Sequence, residues 1–198
     1  MPDSTEPAST VPDSFGQTPS QTVGPFFGYA LPYPGGEQIA PATHPDAIRL
    51  HGTVYDGAGA PVPDALIELW HADAAGRPIR ERGSLHRDGY TVTGFGRAPV
   101  DADGRFSFTT VKPGAADAAH APFALVTVFA RGLLHHLFTR AYFGDEPQAN
   151  AADAFLAGID PQRRDTLIAQ EDGPASYRFD IRLQGEGETV FIEYAGDE

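Results

Sequence analysis

Glycine and proline together account for one residue in five of this 198-residue chain, with 22 Gly and 18 Pro. Punctuation that frequent leaves few stretches long enough for stable helices and favours short strands joined by turns. The apolar runs between these breakers have strand length. Ile48, Leu50 and Val54 fall on one parity, with Arg49, His51, Thr53 and Tyr55 on the other, as a half-buried strand requires. Asp56-Gly-Ala-Gly-Ala-Pro61 then turns the chain. Further strands are expected over Ala65 to Trp70, Arg105 to Val111, Phe123 to Arg131, His135 to Phe143, Tyr177 to Leu183 and Thr189 to Tyr194. At least seven strands in this arrangement predict an all-β fold, a β-sandwich of mixed topology. One helical excursion is expected between Gln148 and Gln170, capped by Asp160, started by Pro161 and carrying Leu167 and Ile168. Residues 1–16, rich in Pro, Ser, Thr and acid, read as a disordered tail, and 17–198 as a single β-sandwich domain.

Charge narrows the function classes. Fourteen basic residues stand against 27 acidic ones, a formal charge of -13, so the surface repels phosphate backbones and anionic lipid headgroups. The expectation is no nucleic acid and no membrane. The N-terminus lacks the basic start and apolar stretch of a secretion signal, which points to the cytoplasm. With no cysteine, thiolate metal sites, disulfides and cysteine nucleophiles are excluded, and any metal would need His, Tyr, Asp or Glu.

No phosphate-binding loop, dinucleotide fingerprint, nucleophile elbow or His-Glu-x-x-His helix occurs. His135 and His136 are adjacent in an expected strand, where neighbouring side chains point to opposite faces, so they do not chelate one ion. Asp101 and Asp103 belong to an Asp-x-Asp-Gly turn that uses its own carboxylates. Trp70, the sole tryptophan, ends a strand and is expected in core or interface packing. Arg131 follows the apolar run Phe123 to Ala130 and so delivers a guanidinium that needs an anionic partner, either a structural carboxylate or a ligand.

Seven segments carry a resemblance: Thr18-Pro-Ser-Gln-Thr-Val-Gly-Pro-Phe26, Gly52-Thr-Val-Tyr-Asp-Gly57, Ala65-Leu-Ile-Glu-Leu-Trp-His-Ala-Asp73, Phe95-Gly-Arg97, Thr110-Val-Lys-Pro-Gly114, Phe129-Ala-Arg-Gly132 and Tyr177 to Phe191. In this order, over nearly the whole chain, they resemble the intradiol ring-cleavage dioxygenases. The closing Gln184-Gly-Glu-Gly-Glu-Thr-Val-Phe191 resembles the alpha side of the two-subunit members. That resemblance implies ferric iron, Fe(III), held by two tyrosines and a His-x-His pair in the iron-bearing subunit. Aligned on Phe129-Ala-Arg-Gly132, the two histidine positions are Phe123 and Leu125, one tyrosine position falls near Ala115 or Ala116, and Tyr90 does not align with the other. This chain is therefore expected to hold no metal and no catalytic residue of its own, with the iron on a homologous beta subunit.

The resemblance further implies that Thr22, Gly24, Pro25 and Arg131 line the substrate site from the alpha side. The substrate implied is 3,4-dihydroxybenzoate, cleaved with O2 between its hydroxyl-bearing carbons to 3-carboxy-cis,cis-muconate. Gly24 allows close backbone approach to a flat ring, Pro25 fixes the loop direction, and Arg131 supplies a cation for an anionic substrate. Two other readings remain at this point: a non-enzymatic β-sandwich binding or scaffolding module, and a self-sufficient enzyme with rearranged iron ligands such as Tyr90, His120 and His135.

Overall fold

Alternation in the sequence becomes pairing in the structure. In the computed structural model, which describes residues 24–81 and 87–194, the first strand, β1 (Ala47–Tyr55), buries Ile48, Leu50, Gly52 and Val54 and turns the opposite parity outward. It is followed by β2 (Leu66–Trp70), β3 (Phe95–Pro99), β4 (Arg105–Val111), β5 (Phe123–Phe129), β6 (Leu137–Phe143), β7 (Ile168–Gly173), β8 (Ser176–Arg178) and β9 (Ile181–Arg182). The sheet order is β3-β2-β5-β6-β7-β8-β1-β4, with β9 also on β1. Pairing is mixed: β6 with β7, and β1 with β8 and β9, run parallel, while the rest are antiparallel. β7 links a β3-β2-β5-β6 half to a β8-β1-β4 half. Ile67, Leu69, Val126 and Val128 of the first share one core with Leu50, Phe106, Phe108 and Tyr177 of the second. This is the expected all-β sandwich of mixed topology. The expected tail at 1–16 and Thr22 lie outside the described residues.

Several local expectations are corrected. β3 is an additional strand; its Gly96 and Pro99 are tolerated because it is the edge strand of this half. The run from Tyr177 to Leu183 is interrupted between β8 and β9, where Asp180 Oδ1 accepts the Thr53 N–H at 3.0 Å in place of a strand carbonyl. Close approach is required there, since a Cβ on Gly52 would collide with the Phe179 carbonyl oxygen. Thr189 to Tyr194 forms no strand; it is tied to the sheet by Thr189 N donating to the Arg182 carbonyl and Thr189 Oγ1 accepting from Arg182 N, both at 3.0 Å, by the Val190 carbonyl accepting from Thr139 Oγ1 at 2.7 Å, and by one bridge, Phe138 to Ile192. The helical excursion is several short pieces, α2 (Pro147–Ala152), α3 (Ala154–Ala157) and α4 (Pro161–Arg164), then a 3-10 turn Asp165–Leu167. A further short helix, α1 (Phe27–Ala30), lies near the N-terminus. Asp160 caps α4 as expected, accepting from Gln162 N at 2.9 Å, with Pro161 following. Ile168 is not helical but opens β7, because strand β6 offers its Tyr142 edge for parallel pairing there.

Asp153 ties this helical layer to the sheet. Fully buried, it accepts from Leu156 N at 2.8 Å, from Ala121 N at 2.8 Å and from the Tyr142 hydroxyl at 3.3 Å. One carboxylate thus joins the start of α3, the approach to β5, and β6.

His71 sits one residue past β2 and is also buried. Its Nδ1 lies 2.7 Å from the Ala72 carbonyl, which must accept a proton, so Nδ1 donates and Nε2 accepts from Thr110 Oγ1. Burial pushes the imidazole below its ordinary value near 6.5, against the Ala72 contact, which raises it. Because the folded state resists protonation more than the unfolded chain, stability is complete above about 6.5 and is lost as pH falls below it. Melting temperature should therefore drop between pH 7 and pH 5, and His71→Asn should flatten that limb. A wild-type melting temperature that stays level across this range contradicts the assignment.

Candidate active-site wall

The N-terminal stretch of the described chain lies on the outer face of the β3-β2-β5-β6 half. Gly24–Phe26 forms a 3-10 turn that leads into α1. Gly24 has φ +64 with nothing within 4 Å of where a Cβ would stand. Glycine is required there by backbone conformation. Phe27 is buried against Phe129 at 6.2 Å between ring centroids. The Leu31 carbonyl accepts from Arg97 at 3.3 Å, and Arg97 in turn pairs with Glu68 of β2. These contacts pin the segment across β5, β2 and β3 and leave Phe26 and Tyr29 projecting outward, 73% and 86% exposed.

Arg131 lies in the turn that follows β5, at the same end of the sheet. Phe27, Phe129, Ala130, Leu133, Leu134, His135 and His136 enclose a recess of about 120 Å³ that joins α1 to this turn. The recess joins Phe27, which follows the Gly24 turn, to residues on either side of Arg131, but neither Gly24 nor Arg131 lines it; Thr22 is outside the described residues. Arg131 Nε forms an ion pair with Asp64 Oδ2 at 2.7 Å, and the arginine side chain stays 67% exposed. The ion-pair reading of Arg131 is present, but a pair so exposed contributes at most about 1 kcal/mol and leaves guanidinium N–H groups facing outward. His135 and His136 are corrected from strand to this turn, ahead of β6. His136 packs edge-on to Phe138 at 4.6 Å.

The positions aligned with metal ligands lie at the other end of the same face. Register sets Trp70 beside Phe95 and Leu125, Leu125 beside Arg140, and Phe123 beside Tyr142. Ala115 packs against Gly76. Phe, Leu and Ala offer no donor atom, and what stands among them is a cation. The Arg140 guanidinium is sandwiched between the Phe123 and Phe155 rings at 4.4 Å from each centroid, and Arg140 donates to the Tyr142 hydroxyl at 3.2 Å. Burial pushes that hydroxyl up to about 12, so it stays neutral and donates to Asp153. An organic cation on two apolar rings does not fit a ferric centre.

Tyr90, His120 and His135 do not converge in the structure. Among the described residues no three His, Asp or Glu side chains gather as a metal group. His120 precedes β5 and His135 precedes β6, which puts them at opposite ends of one seven-residue strand, on the order of 20 Å apart. Tyr90 is 87% exposed. Trp70 is 39% exposed, so it does not belong to the core of this chain. Sequence reasoning missed Asp64 and Arg140. Arg140, a lone charge in the apolar run Leu137–Phe143, carries the same signal as Arg131.

A family model described as dioxygenase matches residues 36–185. The protocatechuate 3,4-dioxygenase alpha chain of Burkholderia cepacia is 45% identical over 193 residues, covering 89% of this chain and 97% of that protein. The chain belongs to the intradiol ring-cleavage dioxygenase family. The beta chain of protocatechuate 3,4-dioxygenase from the same organism is also similar, 32% identical over 189 residues, 81% of this chain and 79% of that one. Among solved structures, the dioxygenase domain of a Streptomyces dioxygenase and carbohydrate-binding fusion superposes with a TM-score of 0.56 at 26% identity, covering 86% of this chain and 99% of that domain. Intradiol dioxygenases depend on iron, which makes the apolar character of Phe123 and Leu125 in this member a functional question. No helix among the described residues is long and apolar enough to cross a membrane.

Proposed function

We propose that this chain is the alpha subunit of a cytoplasmic protocatechuate 3,4-dioxygenase, that residues 17–198 act as one domain, and that the iron is bound by a homologous beta subunit. The assembled enzyme cleaves 3,4-dihydroxybenzoate between its hydroxyl-bearing carbons and places both atoms of O2 in 3-carboxy-cis,cis-muconate. The observation that carries this reading is the division of the outer sheet face. One end presents a positive-φ glycine turn and a largely exposed guanidinium, while at the other end Phe123 and Leu125, aligned with metal ligands, offer no donor atom and Arg140 stands against them. Such a chain can wall and charge a site without supplying its metal.

In this reading Thr22, Gly24 and Pro25 form the wall against the flat ring, and Arg131 holds the substrate carboxylate or balances charge beside it. The partner's iron supplies the chemistry that prepares the catecholate for O2. This chain orients the ring, excludes water from one side and places a positive charge within an otherwise acidic molecule.

The test is oxygen uptake with protocatechuate by the chain alone and coexpressed with its beta partner, with iron determined in both. Activity and iron are expected in the pair only. Stoichiometric iron with turnover in the isolated chain would contradict the reading.

A further inference from the structure

A carboxylate of fixed position stands beside Arg131. Cross-strand register sets Leu66 of β2 opposite Phe129 of β5 on the outer face of the sheet. Continuing that antiparallel register two residues past its last rung sets Asp64 opposite Arg131, and a step of two residues returns to the same face. The ion pair, with Asp64 Oδ2 2.7 Å from Arg131 Nε, is therefore delivered by the sheet.

The two sides of this pair differ in freedom. Asp64 follows Pro63 and precedes Ala65, which is buried and accepts from Val100 N at 3.1 Å. The proline restricts the chain on one side, the bonded alanine holds it on the other, and the short Asp64 side chain is only 26% exposed. Arg131 carries a long, largely exposed stem in the turn between Ala130 and Leu133, where the Leu133 N–H donates to the Ala130 carbonyl at 3.3 Å. A ligand that binds such a side chain must first order its rotamers. A carboxylate anchored to the sheet removes part of that cost in advance. It does not use up the cation, because a guanidinium carries five N–H donors and one carboxylate takes at most two of them side by side.

We infer that Asp64 is a positioning residue for the substrate carboxylate: it keeps the Arg131 guanidinium in one orientation, from which the remaining N–H groups meet the carboxylate of 3,4-dihydroxybenzoate. Asp64 thereby contributes to the preference for ring substrates that carry this group. The inference deepens the proposed function and rests on it. Because Asp64 acts only through Arg131, its effect belongs to binding shared by ground and transition states, which appears in KM and leaves kcat unchanged.

The experiment uses the coexpressed pair and compares Asp64→Ala, Asp64→Asn, Arg131→Leu and the double variant Asp64→Ala/Arg131→Leu. Asp64→Ala should raise KM for protocatechuate about fivefold, the scale of an exposed ion pair, at unchanged kcat and iron content. The inhibition constant of catechol, the same ring without the carboxylate, should stay at its wild-type value when measured as a competitor; a defect in folding or assembly would move both. In the Arg131→Leu background Asp64→Ala should have no further effect, since the two residues act as one unit. Asp64→Asn keeps the shape and one acceptor oxygen without the charge, so its KM should fall between wild type and alanine; it carries the test if the alanine variant does not assemble. An unchanged or lowered KM in the Asp64 variants, an equal change for catechol, or a further rise in the leucine background overturns the inference and leaves the proposed function standing. If Arg131→Leu itself has wild-type kinetics, the assignment of Arg131 to the substrate fails and this inference falls with it.

Discussion

Asp153→Ala should lower the unfolding free energy by about 3 to 5 kcal/mol. The substitution strips acceptors from two backbone N–H groups, Ala121 and Leu156, and from the Tyr142 hydroxyl, all around a residue with no exposed surface. Each buried polar group left without a partner costs about 1 to 3 kcal/mol, and the burial of this junction leaves little route for water to replace the carboxylate. Asp153→Asn keeps one carbonyl oxygen for Leu156 and Tyr142, but turns an amide N–H toward the Ala121 N–H. Its loss should fall near half that of alanine. Chemical denaturation of the two variants beside wild type measures both, and a loss below about 1 kcal/mol for alanine would show that the helical layer is held by apolar packing of Leu156 and Leu167 instead.

The second large effect concerns Arg131. In the assembled enzyme Arg131→Leu should reduce kcat/KM by about 10- to 150-fold, the equivalent of the 1.5 to 3 kcal/mol typical of a hydrogen bond to a charged group. Stability should scarcely change, because the pair with Asp64 is exposed on the arginine side. That separation of activity from stability is what distinguishes a substrate-facing cation from a structural one. Arg131→Lys should retain part of the activity, since the charge persists while the planar fork is lost. A pair that assembles normally and keeps kcat/KM within twofold for the leucine variant would return Arg131 to a purely structural role.

These two residues differ in how much of their role the sequence displays. Arg131 stands out because a cation at the end of an apolar run is costly unless something anionic meets it, and the run Phe123 to Ala130 is obvious in the sequence. Asp153 does not stand out, because an acid between two alanine-rich helical pieces looks like any solvated cap. Its importance comes from Ala121 and Tyr142, which are 32 and 11 residues away. Arg140 falls between the cases: the charge is visible in the sequence, its aromatic sandwich is not, since Phe155 belongs to α3 and Phe123 to β5.

Strands with clean alternation and flanking turn residues are legible almost to the residue, as β1, β2, β4 and β5 show. Period-two patterning and glycine or proline at the ends are local properties, so sequence carries them directly. β3 and β7 are not legible: the first is short and bears Gly96 and Pro99, and the second inherits its state from the edge of β6 that it joins. Likewise, Thr189 to Tyr194 has the alternation of a strand but joins the sheet through side-chain and isolated backbone contacts of Thr189, Val190 and Ile192 in place of a ladder.

What the sequence alone determined was therefore the fold class, the family, and the residue types at the positions aligned with metal ligands, because those depend on composition, periodicity and motif order. What only the tertiary structure decided was where these positions stand relative to one another. Phe27, just after the Gly24 turn, and the chain around Arg131 meet at one recess, while Phe123 and Leu125 lie toward the opposite end of the same face with Arg140 against them. Residues far apart in the chain become neighbours through strand register and the packing of Phe27 on Phe129, and register is a long-range agreement between strands that no single segment encodes.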